Sequence, residues 1–347
     1  MRLTPLSKLL LVLAIVVAVY FALRTFVLKK DTIGSTPANT EATASSTNTN
    51  STEPATQNSD NAPVANNSDS NRSSTATATA PSFDYTPPAP VNGTLLGVVE
   101  LGASGFNSFV ARMDKDKRWK MERKAFGESL AIENMATTDD VKAGLKKYIS
   151  QMFNFGVSNK DIHFVVSSGA AKSPEIVKIS NALKDMKYVV NVVTPEQEGR
   201  YAFAATMPKD FEKDAFVVDI GSGNTKISWK ENGVAKALEG SGAKYFQSGK
   251  DPQTVYNEIK ALATKIPTSN RKMCFIIGGV PFELAKSQGQ PNGRYTTLKK
   301  PDAYSLEGEK NKAGLNIYKA IADGTKCESF VFDWDSNFTI GFLLGLK

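Results

Sequence analysis

The sequence is poor in the residues that most often bind transition metals or act as nucleophile and base. It has one histidine, His163, and two cysteines, Cys274 and Cys327, among 347 residues. These three residues cannot supply the ligand spacing of a zinc or iron site. His163 opens a strand-like run, which argues against a histidine-based triad. Cys274 lies in an apolar run and is predicted to be a core residue, and whether it pairs with Cys327 stays open.

Large apolar residues are nearly absent from residues 31–90, which consist mainly of Ser, Thr, Asn, Ala and Pro. Such a segment cannot bury enough surface to offset its conformational entropy, so it is predicted to be a disordered linker. As a flexible coil of about 60 residues it would have an r.m.s. reach of roughly 40–45 Å.

A long uncharged run lies within the segment that precedes this linker. Residues 9–23 are uncharged, and apolar character continues to residue 28. A run of this length spans a bilayer. No small-x-small cleavage site follows it, so residues 1–30 are predicted to form a membrane anchor, the alternative being a long cleaved signal peptide. Positive charge is nearly balanced across the span, and the uncharged linker favours an extracytoplasmic domain.

The remainder of the chain is long enough for two lobes of ordinary size. Residues 1–30 carry five basic and no acidic residues, whereas residues 31–84 have a net charge of −5. Residues 85–347 therefore have a net charge of +7. A basic domain suits an anionic ligand, although lysine-rich surfaces also increase solubility.

One motif occurs twice in this part of the chain. Residues 98–109 (VVELGASGFNSF) and 217–228 (VVDIGSGNTKIS) share a pattern of apolar residues, an acid and a small-residue turn. Each predicts a β-hairpin with a carboxylate, Glu100 or Asp219, at the end of its first strand. Backbone N–H groups of such turns bind phosphate oxygens, and the carboxylate can hold Mg²⁺ through water. The repeat predicts two related lobes that face one phosphate-binding cleft.

Predicted strands and helices alternate after each hairpin. Apolar periodicity, Pro and capping residues predict helices over 138–155, 174–186, 195–205, 252–265, 281–287 and most of 302–321, where a break near Gly308 stays open. Further strands are expected at 118–126, 162–166, 188–193, 234–238, 273–277 and 330–333, with an apolar C-terminal element over 338–346. This order predicts an α/β fold with two mixed-sheet lobes, 91–206 and 207–347. The architecture is similar to the duplicated ribonuclease-H-like lobes of actin and sugar kinases.

Four motifs stand in order along these lobes: 100–109 (ELGASGFNSF), 167–172 (SSGAAK), 194–201 (TPEQEGRY) and 219–226 (DIGSGNTK). Together they resemble the motifs of the exopolyphosphatase/guanosine pentaphosphate phosphohydrolase (Ppx/GppA) family, in its short two-lobed form. The resemblance covers the whole globular part. A single glycine-rich turn would be a weak signal, whereas four motifs in family order are far more specific.

The resemblance implies a role for individual residues. Glu198 matches the catalytic glutamate that activates the attacking water, and Glu100 and Asp219 would hold Mg²⁺. Glu196 and Gln197 already have structural explanations at the start of their helix. The phosphate-binding residues would be Gly102, Ser104, Lys172, Gly221, Ser222, Gly223, Asn224 and Thr225.

Two lysines depart from the family pattern. Lys226 replaces a glutamate of the metal or water site, and Lys172 replaces an arginine, with loss of bidentate phosphate geometry. Three functions are therefore open. The first is an anchored phosphohydrolase that removes terminal phosphate from polyphosphate or guanosine pentaphosphate. The second is a catalytically degenerate module that binds an anion or a protein, and the third is an actin-like ATPase. The membrane is the expected partner of residues 9–28, nucleic acid is not an expected partner, and homodimerisation stays open.

Overall fold

The computed structural model describes residues 83–102, 105–126, 138–289 and 293–346. Within these ranges the strands are β1 Thr94–Gly102, β2 Gly105–Met113, β3 Trp119–Ala125, β4 Ile162–Val166, β5 Val190–Val192, β6 Ala215–Ile220, β7 Asn224–Glu231, β8 Val234–Ser241, β9 Met273–Gly278, β10 Tyr295–Thr297 and β11 Phe330–Asp333. The α-helices of the same ranges are α1 Thr138–Asn154, α2 Pro174–Asp185, α3 Pro195–Thr206, α4 Pro252–Ala263, α5 Gly279–Lys286, α6 Glu309–Thr325 and α7 Phe338–Gly345.

The strands form two sheets that repeat one topology. The first sheet has the order β3-β2-β1-β4-β5 and the second has the order β10-β11-β9-β6-β7-β8. In each sheet an antiparallel hairpin and third strand lie on one side of the first strand, and parallel strands lie on the other. Strand β10 adds an antiparallel edge to the second sheet. The predicted α/β fold with two mixed-sheet lobes is confirmed.

The side chains of β1 point alternately to the two faces of the first sheet, and each face has its own apolar core. Val99 and Leu101 of β1 pack with α1 and α2 on one face of the sheet. Leu96 and Val98 point to the opposite face, where they pack with α3 and α7. This arrangement follows from the two-residue period of a strand, and it explains why β1 reads as a continuous apolar run. The second sheet packs α4, α5 and α6 on one face.

The C-terminal helix returns to the first lobe. Phe338, Ile340 and Leu343 of α7 lie in the same core cluster as Val98 of β1. The apolar element predicted over 338–346 is therefore a helix, and most of its partners in this cluster belong to residues 91–206 rather than to the lobe 207–347, from which, among the described residues, only Ile277 joins it. Sequence position alone cannot reveal this return, because the contact joins the two ends of the domain.

The helix starts follow their local sequence signals. Thr194 and Gln197 form both halves of the predicted capping box at the start of α3, and Asp251 caps α4 through its side chain. The break near Gly308 that the sequence left open is present in the structure. Only residues 301–303 form a short 3-10 turn before α6 begins at Glu309, because Gly308 has a φ of +86° that interrupts the helix.

The packed domain begins before Val91, where the sequence placed its start. Residues 83–90 form neither helix nor strand, yet the Phe83 ring lies 5.5 Å from the Phe275 ring and 5.2 Å from the Tyr295 ring, between centroids. The Tyr85 ring lies 5.7 Å from that of Phe211. The predicted membrane span over 9–28 lies outside the described residues. Among the helices that the structure does describe, none combines the length and the apolar character that a membrane crossing requires.

Candidate active site

A cleft of about 490 Å³ gathers most of the predicted site residues. Its walls come from the carboxyl ends of β1 and β6, where open α/β sheets commonly bind ligands. The predicted residues that line the cleft are Glu100, Gly102, Glu198, Asp219, Gly221, Ser222, Gly223 and Asn224. The two hairpins and the start of α3 thus meet at one site.

Three predicted phosphate-binding residues stand apart from this set. Lys172 is exposed and does not line the cleft. Thr225 is buried and donates its hydroxyl to the backbone oxygen of Ser241 at 2.8 Å, so its side chain supports β7 rather than facing the cleft. Ser104 lies outside the described residues.

The two hairpins place a carboxylate opposite a hydrogen-bond donor in equivalent positions. In the first hairpin Glu100 of β1 pairs with Asn107 of β2. In the second hairpin Asp219 of β6 pairs with Lys226 of β7. Directly opposed side chains on one face of an antiparallel pair are close enough to interact. The repeated motif therefore encodes a carboxylate together with its partner on the neighbouring strand.

Glu100 is held in the cleft wall by two asparagines. The Nδ2 groups of Asn107 and Asn337 donate to its Oε2 at 2.9 and 3.1 Å. Burial raises the pKa of Glu100 to about 7, against the lowering effect of these hydrogen bonds. Burial likewise raises the pKa of Asp219 to about 6, although the charge of Lys226 opposes the rise. Both groups take up protons more readily than ordinary surface carboxylates.

Glu198 lies in the first turn of α3 and is only 2% exposed. Its Oε2 accepts the backbone N–H of Ser168 at 2.8 Å and also the hydroxyl of Ser168. Its Oε1 accepts from the ammonium group of Lys226. The carboxylate is therefore fixed from both lobes, because Ser168 follows β4 and Lys226 belongs to β7.

Lys226 is as deeply buried as Glu198, with an exposure of 2%. Besides Glu198, its ammonium group donates to Oδ1 of Asn224. Asn224 in turn donates through Nδ2 to Oγ of Ser168 at 2.8 Å and to Oε1 of Glu239 at 2.6 Å. Removing one partner of a buried ion pair typically costs about 3–5 kcal/mol, because the other charge is left uncompensated. The network is thus a fixed part of the cleft.

The turns of the two lobes touch beside this network. A Cβ atom on Gly223 would lie 3.0 Å from Cα of Gly169, and one on Gly169 would lie 3.1 Å from Cα of Gly223. Only residues without side chains allow the backbones to approach this closely. The glycines therefore let Ser168 and Asn224 bridge the cleft by a direct hydrogen bond.

The described residues of the cleft do not form a Mg²⁺ site from protein ligands alone. Mg²⁺ requires oxygen ligands that converge in near-octahedral geometry. No group of three or more acidic, histidine or cysteine side chains converges in this way among the described residues. The cation that contacts Glu198 is instead Lys226, whose ammonium group would lie 3.7 Å from a Cβ atom on Gly221.

Several residues of the cleft carry signals that the sequence interpretation did not use. Ser168 stands within the 167–172 motif, and Asn107 follows from the hairpin register, so both could have been found. Asn337 lies 237 residues from Glu100 and has no local signal that links the two. A second cavity, of about 800 Å³, contains none of the predicted site residues, so the chemistry is assigned to the smaller cleft.

No protein-family model matches the sequence, and no curated protein matches it. Solved structures do resemble the fold. The Ppx/GppA family member of Aquifex aeolicus matches with a TM-score of 0.52 at 17% identity, covering 73% of this chain and 97% of that chain. An exopolyphosphatase from Cytophaga hutchinsonii matches with a TM-score of 0.57 at 14% identity, covering 73% and 99%. The chain thus has the fold of the Ppx/GppA structures, as the motifs predict.

Proposed function

We propose that the domain is a phosphohydrolase that removes terminal phosphate from inorganic polyphosphate or guanosine pentaphosphate. The observation that carries the proposal is the meeting of the Gly221–Asn224 turn, the serine turn after β4 and the buried carboxylate of Glu198 in one cleft. The fold is that of an exopolyphosphatase, which supports a phosphoanhydride as the substrate class. The proposal includes attachment to a membrane through residues 9–28.

The glycine-rich turn would seat the terminal phosphate. The turn follows β6 and lines the cleft through Gly221, Ser222 and Gly223. Backbone N–H groups in a small turn form a concave anion site. Phosphoryl transfer requires mainly positioning and charge stabilisation, which such a turn provides without covalent chemistry.

Glu198 would orient the attacking water. An ionised carboxylate has about four lone-pair sites. Ser168 occupies two of them on Oε2 and Lys226 occupies one on Oε1. Among the interactions of the described residues this leaves one site on Oε1, which in this proposal accepts a hydrogen bond from the attacking water. Positioned general bases contribute about 10²–10⁴-fold to the rate.

Phosphate release by the full-length protein tests the proposal. We expect release from polyphosphate or guanosine pentaphosphate, measured separately with Mg²⁺ and with EDTA, and a loss of about 100-fold or more in Glu198→Gln. Glu196→Gln is the matched control, since Glu196 lies in the same helical turn, is 63% exposed in its side chain and forms a surface ion pair with Arg200. No release under either condition, or equal release by Glu198→Gln and the parent, would exclude the proposed mechanism.

The buried ion pair favours one second function. Because Lys226 neutralises Glu198 in the ligand-free cleft, the domain could bind a phosphate chain without cleaving it, as a membrane-tethered module. Tripolyphosphate binding measured by calorimetry, together with no release of phosphate over the same period, would select this function. Binding followed by release selects the hydrolase.

A further inference from the structure

Lys226 stands in a row of charged groups that crosses three strands. In the strand register it lies opposite Asp219 of β6 on one side and opposite Glu239 of β8 on the other. Glu198 approaches the same lysine from α3. The ammonium group therefore has an ion pair with Glu198 and interacts with the charge of Asp219, while Glu239 lies opposite it on the neighbouring strand.

The ammonium group lies at the phosphate seat rather than at the edge of the sheet. It contacts Oε1 of Glu198 and Oδ1 of Asn224. It also lies next to the Gly221 backbone, since a Cβ atom on that glycine would be 3.7 Å from Nζ of the lysine. Asn224 is the last residue of the glycine-rich turn. A positive charge at this place can act on a bound phosphate as well as on the carboxylates.

A divalent cation and this ammonium group would compete for the same oxygens. Mg²⁺ in phosphate sites is held by one or two carboxylates together with phosphate oxygens. Two of the carboxylates that line this cleft, Glu198 and Asp219, interact with the charge of Lys226. Adding two positive charges beside a buried lysine is opposed by like-charge repulsion, which is strong where water is excluded. The lysine therefore satisfies the need for positive charge and blocks the metal.

We infer that the ammonium group of Lys226 takes the place of a divalent cation, so that the cleft receives its phosphate ligand without a metal ion. The inference deepens the proposed function, since it concerns the same phosphate seat. The first hairpin agrees with it. The position equivalent to Lys226 is Asn107, whose amide donates to Glu100, so each carboxylate already has a partner from its own hairpin.

Mn²⁺ binding to the full-length protein tests this inference independently of activity. Free Mn²⁺ has an electron paramagnetic resonance signal that is lost on binding, and Mn²⁺ is a probe for an oxygen-ligand site. We expect the parent protein to leave the signal unchanged at equimolar Mn²⁺. Lys226→Glu should bind Mn²⁺, and this binding should be lost in the double variant Lys226→Glu/Asp219→Asn. If Lys226→Glu does not fold, Mn²⁺ binding is measured with Lys226→Gln, which removes the cation without adding an acid.

Each outcome decides the inference. Stoichiometric Mn²⁺ binding by the parent protein that is lost in Asp219→Asn would overturn it. A folded Lys226 variant that binds no Mn²⁺ would also overturn it, because removal of the lysine would then fail to open a metal site. Phosphate release that EDTA leaves unchanged supports it. A parent protein that releases no phosphate contradicts the proposed function, whereas the Mn²⁺ measurement still decides the role of Lys226.

Discussion

Glu100 is the residue whose burial has the clearest consequence for stability. Its pKa rises from 4.5 to about 7 in the folded protein. Between these values the unfolded chain releases a proton that the folded protein retains, so the free energy of unfolding falls as pH increases through this range. Glu100→Gln removes the titration while keeping an oxygen acceptor for Asn107. We expect the variant to gain on the order of 2–3 kcal/mol relative to the parent between about pH 5 and about pH 8, measured by urea unfolding.

The difference between the parent and Glu100→Gln separates the effect of Glu100 on the pH dependence of stability from the effects of distant titrating groups. Asp219, whose pKa is raised to about 6, titrates in both proteins, so the difference contains the titration of Glu100 together with its repulsion from Asp219. Parallel pH profiles of the parent and Glu100→Gln would contradict the prediction. They would mean that Glu100 ionises as readily in the folded protein as in the unfolded chain.

At the scale of single residues, sequence located the acids of the site but not their partners. Glu198 could be found because the capping box accounts for Glu196 and Gln197 and leaves Glu198 without a structural role. Its ion pair with Lys226 could not be found in this way, since it needs the position of α3 against β7. Lys172 shows the reverse case. Its motif matched a family pattern, yet its side chain is exposed outside the cleft, because a turn fixes the backbone path more closely than the direction of a long side chain.

At the scale of elements, α7 crosses α3 at a point where only glycine fits. A Cβ atom on Gly341 would overlap the backbone oxygen of Tyr201. We expect Gly341→Ala to lower the free energy of unfolding by about 1–3 kcal/mol, because the clash is with backbone that cannot move aside easily. Chemical denaturation followed by circular dichroism measures the change.

Gly345 in the same helix provides the matched control. A Cβ atom there would lie 3.5 Å from Cε1 of Tyr201, which is an ordinary contact. Since alanine favours a helix more than glycine, Gly345→Ala should be neutral or slightly stabilising. Equal effects of the two substitutions would show that the close helix crossing does not limit stability.

Elements with local signals were predicted best. Both hairpins, the capping box of α3 and the cap of α4 depend on residues within a few positions, and all were anticipated. Residues 304–308 are not helical, in line with the break left open near Gly308, where a positive φ outweighs the apolar periodicity. The docking of α7 on β1 depends on packing between distant parts of the chain, which no local pattern encodes.

At the scale of the whole molecule, the transition from linker to domain is set by two aromatic residues rather than by composition. Phe83 and Tyr85 stand at the end of a segment that otherwise reads as disordered. They join Phe275 and Tyr295 of the second sheet and Phe211 of the 3-10 turn before β6. Because two aromatic rings bury a large apolar area, the residues from Phe83 to Val91 belong to the fold.

Removing these rings should weaken the domain without altering the cleft. We expect Phe83→Ala to lower the free energy of unfolding by about 2 kcal/mol, in line with partial burial of a phenylalanine, and a chain that begins at Val91 to lose at least as much. Asp84→Ala is the control, because Asp84 lies between the two rings and is exposed. Thermal unfolding and tripolyphosphate affinity are measured together. If Phe83→Ala and Asp84→Ala unfold at the same temperature, the aromatic contact contributes nothing to stability. If Phe83→Ala loses tripolyphosphate affinity without losing stability, the segment acts on the cleft instead.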